Sequence, residues 1–313
     1  MQVSALERRL REKPTVKLDF VLDLNRSTRP GKRSTANLLL PLLRQFPTQV
    51  NVSMFRSPSL RGMLAKIVPP RFNEGWGTWH AKIYGVDDDV MISGYVHVAP
   101  VILNLKILTA YCFLSANLNE SYFTNRQDRY IYFSDQPELA RYCHEFMQLV
   151  TPFSYKLLPS GSQSPDTTSS VHSYTQDDYT LHWPEPDTHP HYFNSTAEAA
   201  FKSFQKRSRE RQSPSPSPKG KAALLFPVIQ AGQFNIQEEE TIFSKLFRFL
   251  SRDSGRPLLD LTSGYFSLYT PYQEHIMSAK NVDCRIVAAS PKVSNLDTYH
   301  IFFRLSDGIP FLG

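Results

Sequence analysis

The residues best suited to chemistry in this sequence are a histidine and a lysine two positions apart. His80, Lys82 and Asp87 form the pattern H-x-K-x-x-x-x-D. In an extended strand, positions i and i+2 point to the same face, so the imidazole and the ammonium would project together. A neutral imidazole can attack phosphorus and hold it covalently, while an ammonium neutralises the non-bridging oxygens. The pattern therefore predicts phosphoryl-transfer chemistry, with Asp87 orienting a side chain or bracing the loop.

The flanking segments favour a phosphate-binding site over an isolated surface histidine. Residues 73–80, NEGWGTWH, place aromatic side chains between glycines, which suits a closely packed pocket wall. Downstream, SANLNESYFTNRQDRY supplies amide and guanidinium groups, Asn125 and Arg126 among them, that donate hydrogen bonds to phosphate oxygens.

The elements that must position these residues begin with a strand, a helix and a second strand. Residues 16–26 alternate apolar and polar side chains like a strand. Residues 34–47 predict a helix capped by Ser34 or Thr35, and residues 50–58 predict the next strand. The order strand, helix, strand indicates parallel pairing through a crossover helix.

Further elements are predicted on both sides of the segment SANLNESYFTNRQDRY. Residues 80–94 predict two short strands about a turn at Gly85 to Asp89, and residues 128–135 predict another strand. Residues 136–150 predict an amphipathic helix that starts at a proline. These elements complete a first lobe, residues 1–159, of an α/β protein.

Composition divides the rest of the chain. Residues 160–221 are rich in Ser, Pro and charge, and they predict a mobile insertion around a short helix. We interpret its Arg/Ser/Pro run as a solvated linker, with no nucleic acid as partner. Residues 222–313 then predict a second α/β lobe with the element order of the first, including a helix with Phe243, Leu246 and Phe247 on one face.

Charge and cysteine content set broad limits on function. The formal net charge of +6 favours anionic partners, including an anionic membrane surface. Three cysteines without paired spacing indicate neither a disulfide framework nor a zinc site. The first residues lack the apolar core of a signal peptide, and no transit peptide is evident.

At this point the motifs resemble a known family. His80, Lys82 and Asp87, with ANLNESYFTNRQDRY downstream, resemble the first catalytic motif of the phospholipase D superfamily. Within it, RFNEGWGTWHAKIYGVDDDVMISG and LLDLTSGYFSLYTPYQ are similar to the phosphatidylglycerophosphate synthase family. The similarity covers most of the chain outside residues 160–221. It implies a phospholipase D-like fold, a mixed sheet flanked by helices in two similar lobes, the second incomplete.

The resemblance also implies a reaction and roles for residues. The reaction is phosphatidyl transfer from CDP-diacylglycerol to sn-glycerol 3-phosphate, releasing CMP, in the mitochondrial synthesis of phosphatidylglycerol and cardiolipin. His80 would be the nucleophile or its acid/base counterpart, Lys82 and Asn117 would clamp the phosphate, and Asp87 would support them. No metal or other cofactor is implied, because the Lys and amide donors stabilise the charge that Mg²⁺ stabilises elsewhere.

Two departures from the family pattern bear on activity. Residues 95–115, an apolar run, separate ISG from ANLNESYF, and its His97, Asn104 and Lys106 argue against a membrane span. We interpret the run as an aberrant insertion, a translated intron, because removing it restores ISGANLNESYF. Residues 293–313 also depart from the family pattern, and we interpret them as a second translated intron or the product of a truncated gene model. The second departure is that no other H-x-K occurs in this sequence.

A missing second motif leaves alternatives open. One histidine attacks while another protonates the leaving group, so the chain alone is expected to have little synthase activity unless a homodimer supplies the second histidine. A phospholipase D-like phosphodiesterase that uses water as acceptor is one alternative. An inactive fragment that binds anionic lipid is another.

Overall fold

A computed structural model of the chain describes residues 3–29, 34–59, 61, 77–93, 101–103, 106–108, 130–161, 172–176, 178–211, 225–252, 255–263, 269–279 and 281–288. The helices are α1 (Val3–Glu12), α2 (Leu24–Ser27), α3 (Thr35–Gln45), α4 (Pro137–Val150), α5 (Asn194–Arg211), α6 (Glu238–Leu250) and α7 (Thr270–Ser278). The strands are β1 (Leu18–Asp23), β2 (Val50–Phe55), β3 (Ile83–Val86), β4 (Asp89–Ser93), β5 (Val101–Leu103), β6 (Lys106–Leu108), β7 (Tyr130–Phe133), β8 (Ser154–Pro159), β9 (Tyr174–Gln176), β10 (Tyr179–His182), β11 (Gln230–Ala231), β12 (Ile236–Gln237), β13 (Leu258–Ser263) and β14 (Asp283–Ala288). The mixed α/β class is confirmed.

The chain divides into two compact units. The first contains the described residues up to 93, those between 130 and 211, and residues 227–238. The second contains the described residues from 239 onward, together with β5, β6 and residues 225–226.

A five-stranded mixed sheet forms the centre of the first unit, in the order β1-β2-β8-β10-β9. β1 and β2 are parallel, with α3 between them in the chain, which confirms the predicted crossover. Ser34 caps α3, because its Oγ accepts a hydrogen bond from the backbone N–H of Asn37 at 3.2 Å. Leu39 and Leu42 of α3 are buried in the same core as Val50 and Met54 of β2.

A second, antiparallel sheet follows the order β3-β4-β7. The predicted strands around residues 80–94 are therefore confirmed, with a turn of only two residues, Asp87 and Asp88. Helix α4 packs its buried Leu139, Ala140 and Cys143 against Val90 of β4. Burial raises the pKa of the Cys143 thiol to about 11, so this cysteine is a packing residue at neutral pH.

Part of the segment predicted as a mobile insertion belongs to the core, so that prediction is wrong for residues 172–211. β10 pairs with β8, and Trp183 is 1% exposed with its Nε1 donating to the Thr188 carbonyl at 2.6 Å. Helix α5 buries Phe201 and Phe204. Widely spaced apolar residues among Ser, Pro and charged neighbours form this part of the core, and average composition conceals them. Residues 162–171 and 212–224 of the segment lie outside the described residues.

The boundary predicted at residue 222 also lies elsewhere. Ile229, Phe234 and Ile236 are buried in the core of the first unit, and residues 227–238 belong to that unit. In the second unit, β13 and β14 pair in parallel, with α7 between them in the chain. Phe247 and Leu250 of α6 pack on Leu259, with Phe243 and Leu246 beside them, which confirms the predicted helix face.

Within residues 95–115, the structure describes only β5 and β6, which pair with each other in antiparallel fashion. The rest of this run lies outside the described residues, as do residues 293–313. Across the described part of the chain, no helix has the length and apolar character needed to cross a membrane.

Candidate active site

His80 follows directly after an aromatic residue that is fixed in the core of the first unit. The backbone N–H of Trp79 donates to Oδ2 of Asp23 at 3.1 Å. Its indole stacks on Phe146, with ring centroids 5.6 Å apart and planes 23° apart, and also contacts Phe55. A fixed residue on the N-terminal side therefore limits where the His80 backbone can lie.

Asp23 makes this anchor possible because it has two acceptor oxygens and little exposure. Oδ1 accepts from the backbone N–H of Arg26 at 2.9 Å and so caps α2, while Oδ2 accepts from Trp79. The Asp23 residue is 9% exposed. The sequence indicated an aromatic pocket wall that includes Trp79, but it did not indicate Asp23 as the partner of Trp79.

The placement of this loop matches the place where open α/β sheets bind ligands. Asp23 is the last residue of β1 and Phe55 is the last residue of β2. Trp79 contacts both residues, so His80 follows a point at the carboxyl edge of a parallel strand pair. Ligands of open α/β sheets bind in the crevice at this edge.

His80 and Lys82 lie close together but outside the strand in which they were predicted. β3 begins at Ile83, so both residues belong to the irregular segment before it. Nζ of Lys82 donates to the backbone carbonyl of His80 at 2.6 Å. This contact brings the ammonium charge to the backbone of His80, and the His80 side chain is exposed to solvent.

Asp87 lies at the other end of β3, at the turn into β4, with a φ of 51°. Four strand residues separate it from Lys82 and span about 13 Å, which leaves the Asp87 carboxylate too far to orient the imidazole. Asp tolerates the left-handed conformation better than most residues, so Asp87 shapes the turn. Its neighbour Asp89 accepts from the Tyr132 hydroxyl and from the Asp135 N–H.

The chemistry of the hairpin end is that of a structural brace. The Tyr132 hydroxyl, followed by the Asp135 N–H, lowers the pKa of the Asp89 carboxyl. The same contact raises the pKa of Tyr132. The carboxylate of Asp89 thus joins β4 to Tyr132 of β7 and to Asp135, two residues after β7 ends.

Gly77 allows the chain to approach this edge closely. It has a φ of 113°, and a Cβ at this position would lie 2.6 Å from Oε1 of Gln233 and 2.8 Å from Oγ of Ser57. The Ser57 hydroxyl donates to that same Oε1 at 2.6 Å. Only glycine fits both the conformation and the space.

The remaining candidate residues, Asn117, Asn125 and Arg126, lie outside the described residues. Among the described residues, no group of three or more His, Cys, Asp and Glu side chains is arranged to hold a metal ion. The described part of the site can present an exposed imidazole, with an ammonium at its backbone, at the carboxyl edge of β1 and β2.

Several curated proteins that are similar to this chain share one name. The chain is 31% identical to the mitochondrial CDP-diacylglycerol–glycerol-3-phosphate 3-phosphatidyltransferase of Gallus gallus, over 90% of this chain and 48% of that protein. It is 31% identical to a probable enzyme of the same name in Dictyostelium discoideum, over 89% of this chain and 44% of that protein. For the Schizosaccharomyces pombe enzyme the identity is 30%, over 92% and 59%.

The chain thus spans about half the length of the curated relatives it matches. No family model matches it. Among solved structures, the phosphatidylserine synthase of Haemophilus influenzae Rd KW20 aligns with a TM-score of 0.46 and 14% identity, over 91% of this chain and 52% of that one.

Proposed function

We propose that this chain takes part in phosphatidyl transfer from CDP-diacylglycerol to sn-glycerol 3-phosphate, giving phosphatidylglycerophosphate and CMP. The observation that supports it is the 30–31% identity to enzymes of that name over about nine tenths of the chain. The position of His80 at the carboxyl edge of a parallel strand pair agrees with a substrate site there. The mitochondrial name of several relatives supports a mitochondrial location.

In the proposed mechanism His80 is the nucleophile of a two-step transfer. A ring nitrogen of His80 attacks the phosphatidyl phosphorus, and the bond from phosphorus to the CMP oxygen breaks. CMP leaves as its oxygen takes a proton from the second histidine of the complete site. A hydroxyl oxygen of glycerol 3-phosphate then attacks the same phosphorus, the nitrogen–phosphorus bond breaks, and the hydroxyl proton passes back to that second histidine. Each step exchanges one bond to phosphorus for another.

The neighbouring residues have supporting roles in this proposal. Lys82 neutralises the non-bridging oxygens of the transferred phosphate, and its ammonium already lies at the backbone of His80. Asn117, Asn125 and Arg126 donate further hydrogen bonds to phosphate oxygens. Asp87 acts through the turn that joins β3 to β4. No cofactor is required by these steps, and the two substrates are the lipid nucleotide and glycerol 3-phosphate.

We further propose a phospholipase D-like arrangement of two similar lobes. In the first unit, α1, β1, α3 and β2 follow one another, and β1 pairs in parallel with β2. In the second, α6, β13, α7 and β14 follow in the same sense, and β13 pairs in parallel with β14. This repeated order supports two lobes of common design. The sequence contains one H-x-K, so the second histidine of a complete site would come from a second copy of the chain.

The proposal is tested by trapping the covalent intermediate on the purified chain. CDP-diacylglycerol labelled in the phosphatidyl phosphate is supplied in mixed micelles without acceptor, and acid-labile protein label is measured. We expect label on the wild-type chain, and a loss of about 10³-fold in labelling rate for His80→Ala. His144→Ala is the matched control, because His144 is an exposed histidine on α4.

Adding acceptor separates transfer from hydrolysis. Glycerol 3-phosphate should chase the label into phosphatidylglycerophosphate, and the rate of CMP release should rise with protein concentration if a second copy completes the site. Equal labelling of His80→Ala and wild type would refute the role of His80. Phosphatidic acid as the product, at a rate independent of glycerol 3-phosphate, would identify the chain as a phosphodiesterase.

A further inference from the structure

A group of positively charged and imidazole side chains in the first unit is left unused by the proposed reaction. We call it the His-Arg cluster, and its members are Arg56, Arg61, His172, His189 and His191. Arg56 follows the last residue of β2, and His189 and His191 lie between β10 and α5. These residues come from distant parts of the sequence, and no motif joins them.

The three histidines lie ring against ring. The ring centroids of His172 and His189 are 4.3 Å apart, and those of His189 and His191 are 5.2 Å apart. The backbone N–H of His191 donates to Nδ1 of His189 at 3.0 Å. This bond requires Nδ1 of His189 to be the acceptor, so Nε2 of His189 carries the proton and is a donor.

The two arginines add fixed positive charge next to these rings. Nη1 of Arg61 donates to the backbone carbonyl of His191 at 3.3 Å, and the Arg61 guanidinium lies 4.9 Å from the centre of the Tyr192 ring. Nε of Arg56 is buried without a hydrogen-bond partner among the described residues. A buried guanidinium nitrogen that lacks an acceptor costs free energy.

The electrostatic environment shows a surplus of positive charge. Burial, and then the charges of Arg56, His189, Arg61 and His172, lower the pKa of His191. Burial and the charge of His172 likewise lower the pKa of His189. The charged groups that lower these two pKa values are arginines and neighbouring histidines, which are cationic when charged. Mutual repulsion of this kind is relieved when an anion binds between the groups.

The arrangement suits an anion better than a metal ion. The imidazole planes of neighbouring rings cross at 68° and 78°, as in edge-to-face packing, and among the described residues no three ligating side chains are placed to hold a metal. Two guanidinium groups close to the rings would also repel a cation. Guanidinium and imidazole N–H groups are common donors to phosphate oxygens.

The cluster is separate from the loop that contains His80. Phe55 contacts Trp79, and Ser57 lies beside Gly77, so the residues on either side of Arg56 face that loop. Burial raises the pKa values of Tyr155 and Tyr174, and the charge of Arg56 acts against that rise. After burial, the same charge contributes to the lowered pKa of His191. Arg56 therefore lies near these three residues, on a different surface of the same sheet edge.

We propose that the His-Arg cluster is a second anion site, which binds the phosphate group of a phosphate ester through Arg56, Arg61 and the imidazole N–H groups. The phosphate can belong to a soluble metabolite or to the head group of an acidic phospholipid, since both present the same tetrahedral oxygens. This site does not depend on the chemistry proposed for His80.

The test is a titration of the purified chain with inorganic phosphate, followed through the histidine side-chain NMR signals. We expect the signals of His189 and His191 to move with saturation, and the signal of His144 on α4 to stay in place. Arg56→Gln should weaken phosphate binding by about tenfold, as expected for loss of a charge-assisted hydrogen bond. Arg8→Gln is the matched control, because it removes the same charge from a side chain on α1 that is 77% exposed.

Sulfate isolates the contribution of the imidazoles, because its charge does not change between about pH 6 and about pH 8. An anion favours the protonated imidazoles, so sulfate should bind more tightly at about pH 6 than at about pH 8. Replacing both His189 and His191 by Gln should remove most of this pH dependence. Circular dichroism of each variant shows that the fold is retained.

Vesicle flotation separates the two sources of phosphate. If the ligand is a lipid, phosphatidylcholine vesicles with phosphatidic acid should bind the wild-type chain, and Arg56→Gln should reduce flotation more than Arg8→Gln does. If the ligand is soluble, phosphate should shift the histidine signals while the two variants float equally. Unmoved His189 and His191 signals, or equal phosphate affinity of Arg56→Gln and Arg8→Gln, would overturn the proposal. His80→Ala should keep phosphate binding at the cluster, so failure of the proposed reaction leaves this test valid.

Discussion

Gly77 lies three residues before His80, in a conformation that side chains rarely adopt. We expect Gly77→Ala to lower the free energy of unfolding by about 1–3 kcal/mol, because the new methyl group meets the Ser57 and Gln233 oxygens and the positive φ is strained. Urea unfolding followed by tryptophan fluorescence measures the change.

Gly232 provides the matched control for this substitution. No atom lies within 4 Å of a Cβ built there, so Gly232→Ala should change the free energy of unfolding by no more than about 0.5 kcal/mol. Equal unfolding midpoints for the two variants would show that residue 77 has more room than the structure indicates.

At the same scale, the sequence predicted that two site residues lie together, but it did not predict what holds them. The type and spacing of His80 and Lys82 led to the prediction that they project together, and Lys82 does contact the backbone of His80. The contact of Trp79 with Asp23 joins residues 56 positions apart, and a local pattern contains no information on such a pair. Asp87 was expected at the site from its spacing, but it lies in the turn between β3 and β4.

At the scale of elements, strong apolar periodicity predicted helices and strands correctly, whereas mixed composition led to core elements being predicted as a mobile insertion. The apolar run of α3 between two strand patterns predicted a parallel strand pair, and β1 and β2 are parallel in the structure. β10 and α5 were missed as core elements because Ser, Pro and charged residues surround them. Their burial depends on β8 and α4, which are distant in sequence and which the local composition does not report.

An ion pair between α4 and α5 gives a pH-dependent test of that packing. The Arg211 guanidinium donates two hydrogen bonds to the carboxylate of Glu145, and these lower the pKa of Glu145 below its ordinary value of 4.5. A lowered pKa in the folded state contributes stability that is complete above about pH 4.5 and is lost as the pH falls through the folded pKa.

We therefore expect Glu145→Gln to be less stable than wild type at neutral pH, by no more than about 1 kcal/mol because the pair is partly exposed. The difference in unfolding free energy should shrink as the pH falls below about 4.5. Glu210→Gln is the control, since Glu210 is 61% exposed and 3.9 Å from Lys206. A difference that stays constant with pH would mean that α5 is not held to α4 by this pair.

At the scale of the whole molecule, the two units can be observed separately. Two of the three tryptophans in the sequence, Trp79 and Trp183, are described by the structure, and both fall in the first unit. Tryptophan fluorescence therefore reports the first unit, whereas far-ultraviolet circular dichroism reports the helices of both. This separation makes the interrupted motif between β4 and β7 open to experiment.

Deletion of residues 95–115 tests whether the apolar run belongs to the fold of the first unit. β4 pairs with β3 and β7, while β5 and β6 pair with each other, so the deletion removes no described strand of the first unit. We expect the deletion to change the free energy of unfolding, measured by tryptophan fluorescence in urea, by no more than about 0.5 kcal/mol. Phe204→Ala, which empties a position that is 1% exposed, should lower stability by about 3–5 kcal/mol and shows that the assay detects damage. Loss of the fluorescence transition on deletion would make the run part of the first unit and would rule out the intron hypothesis, because the spliced message would encode this same deleted chain.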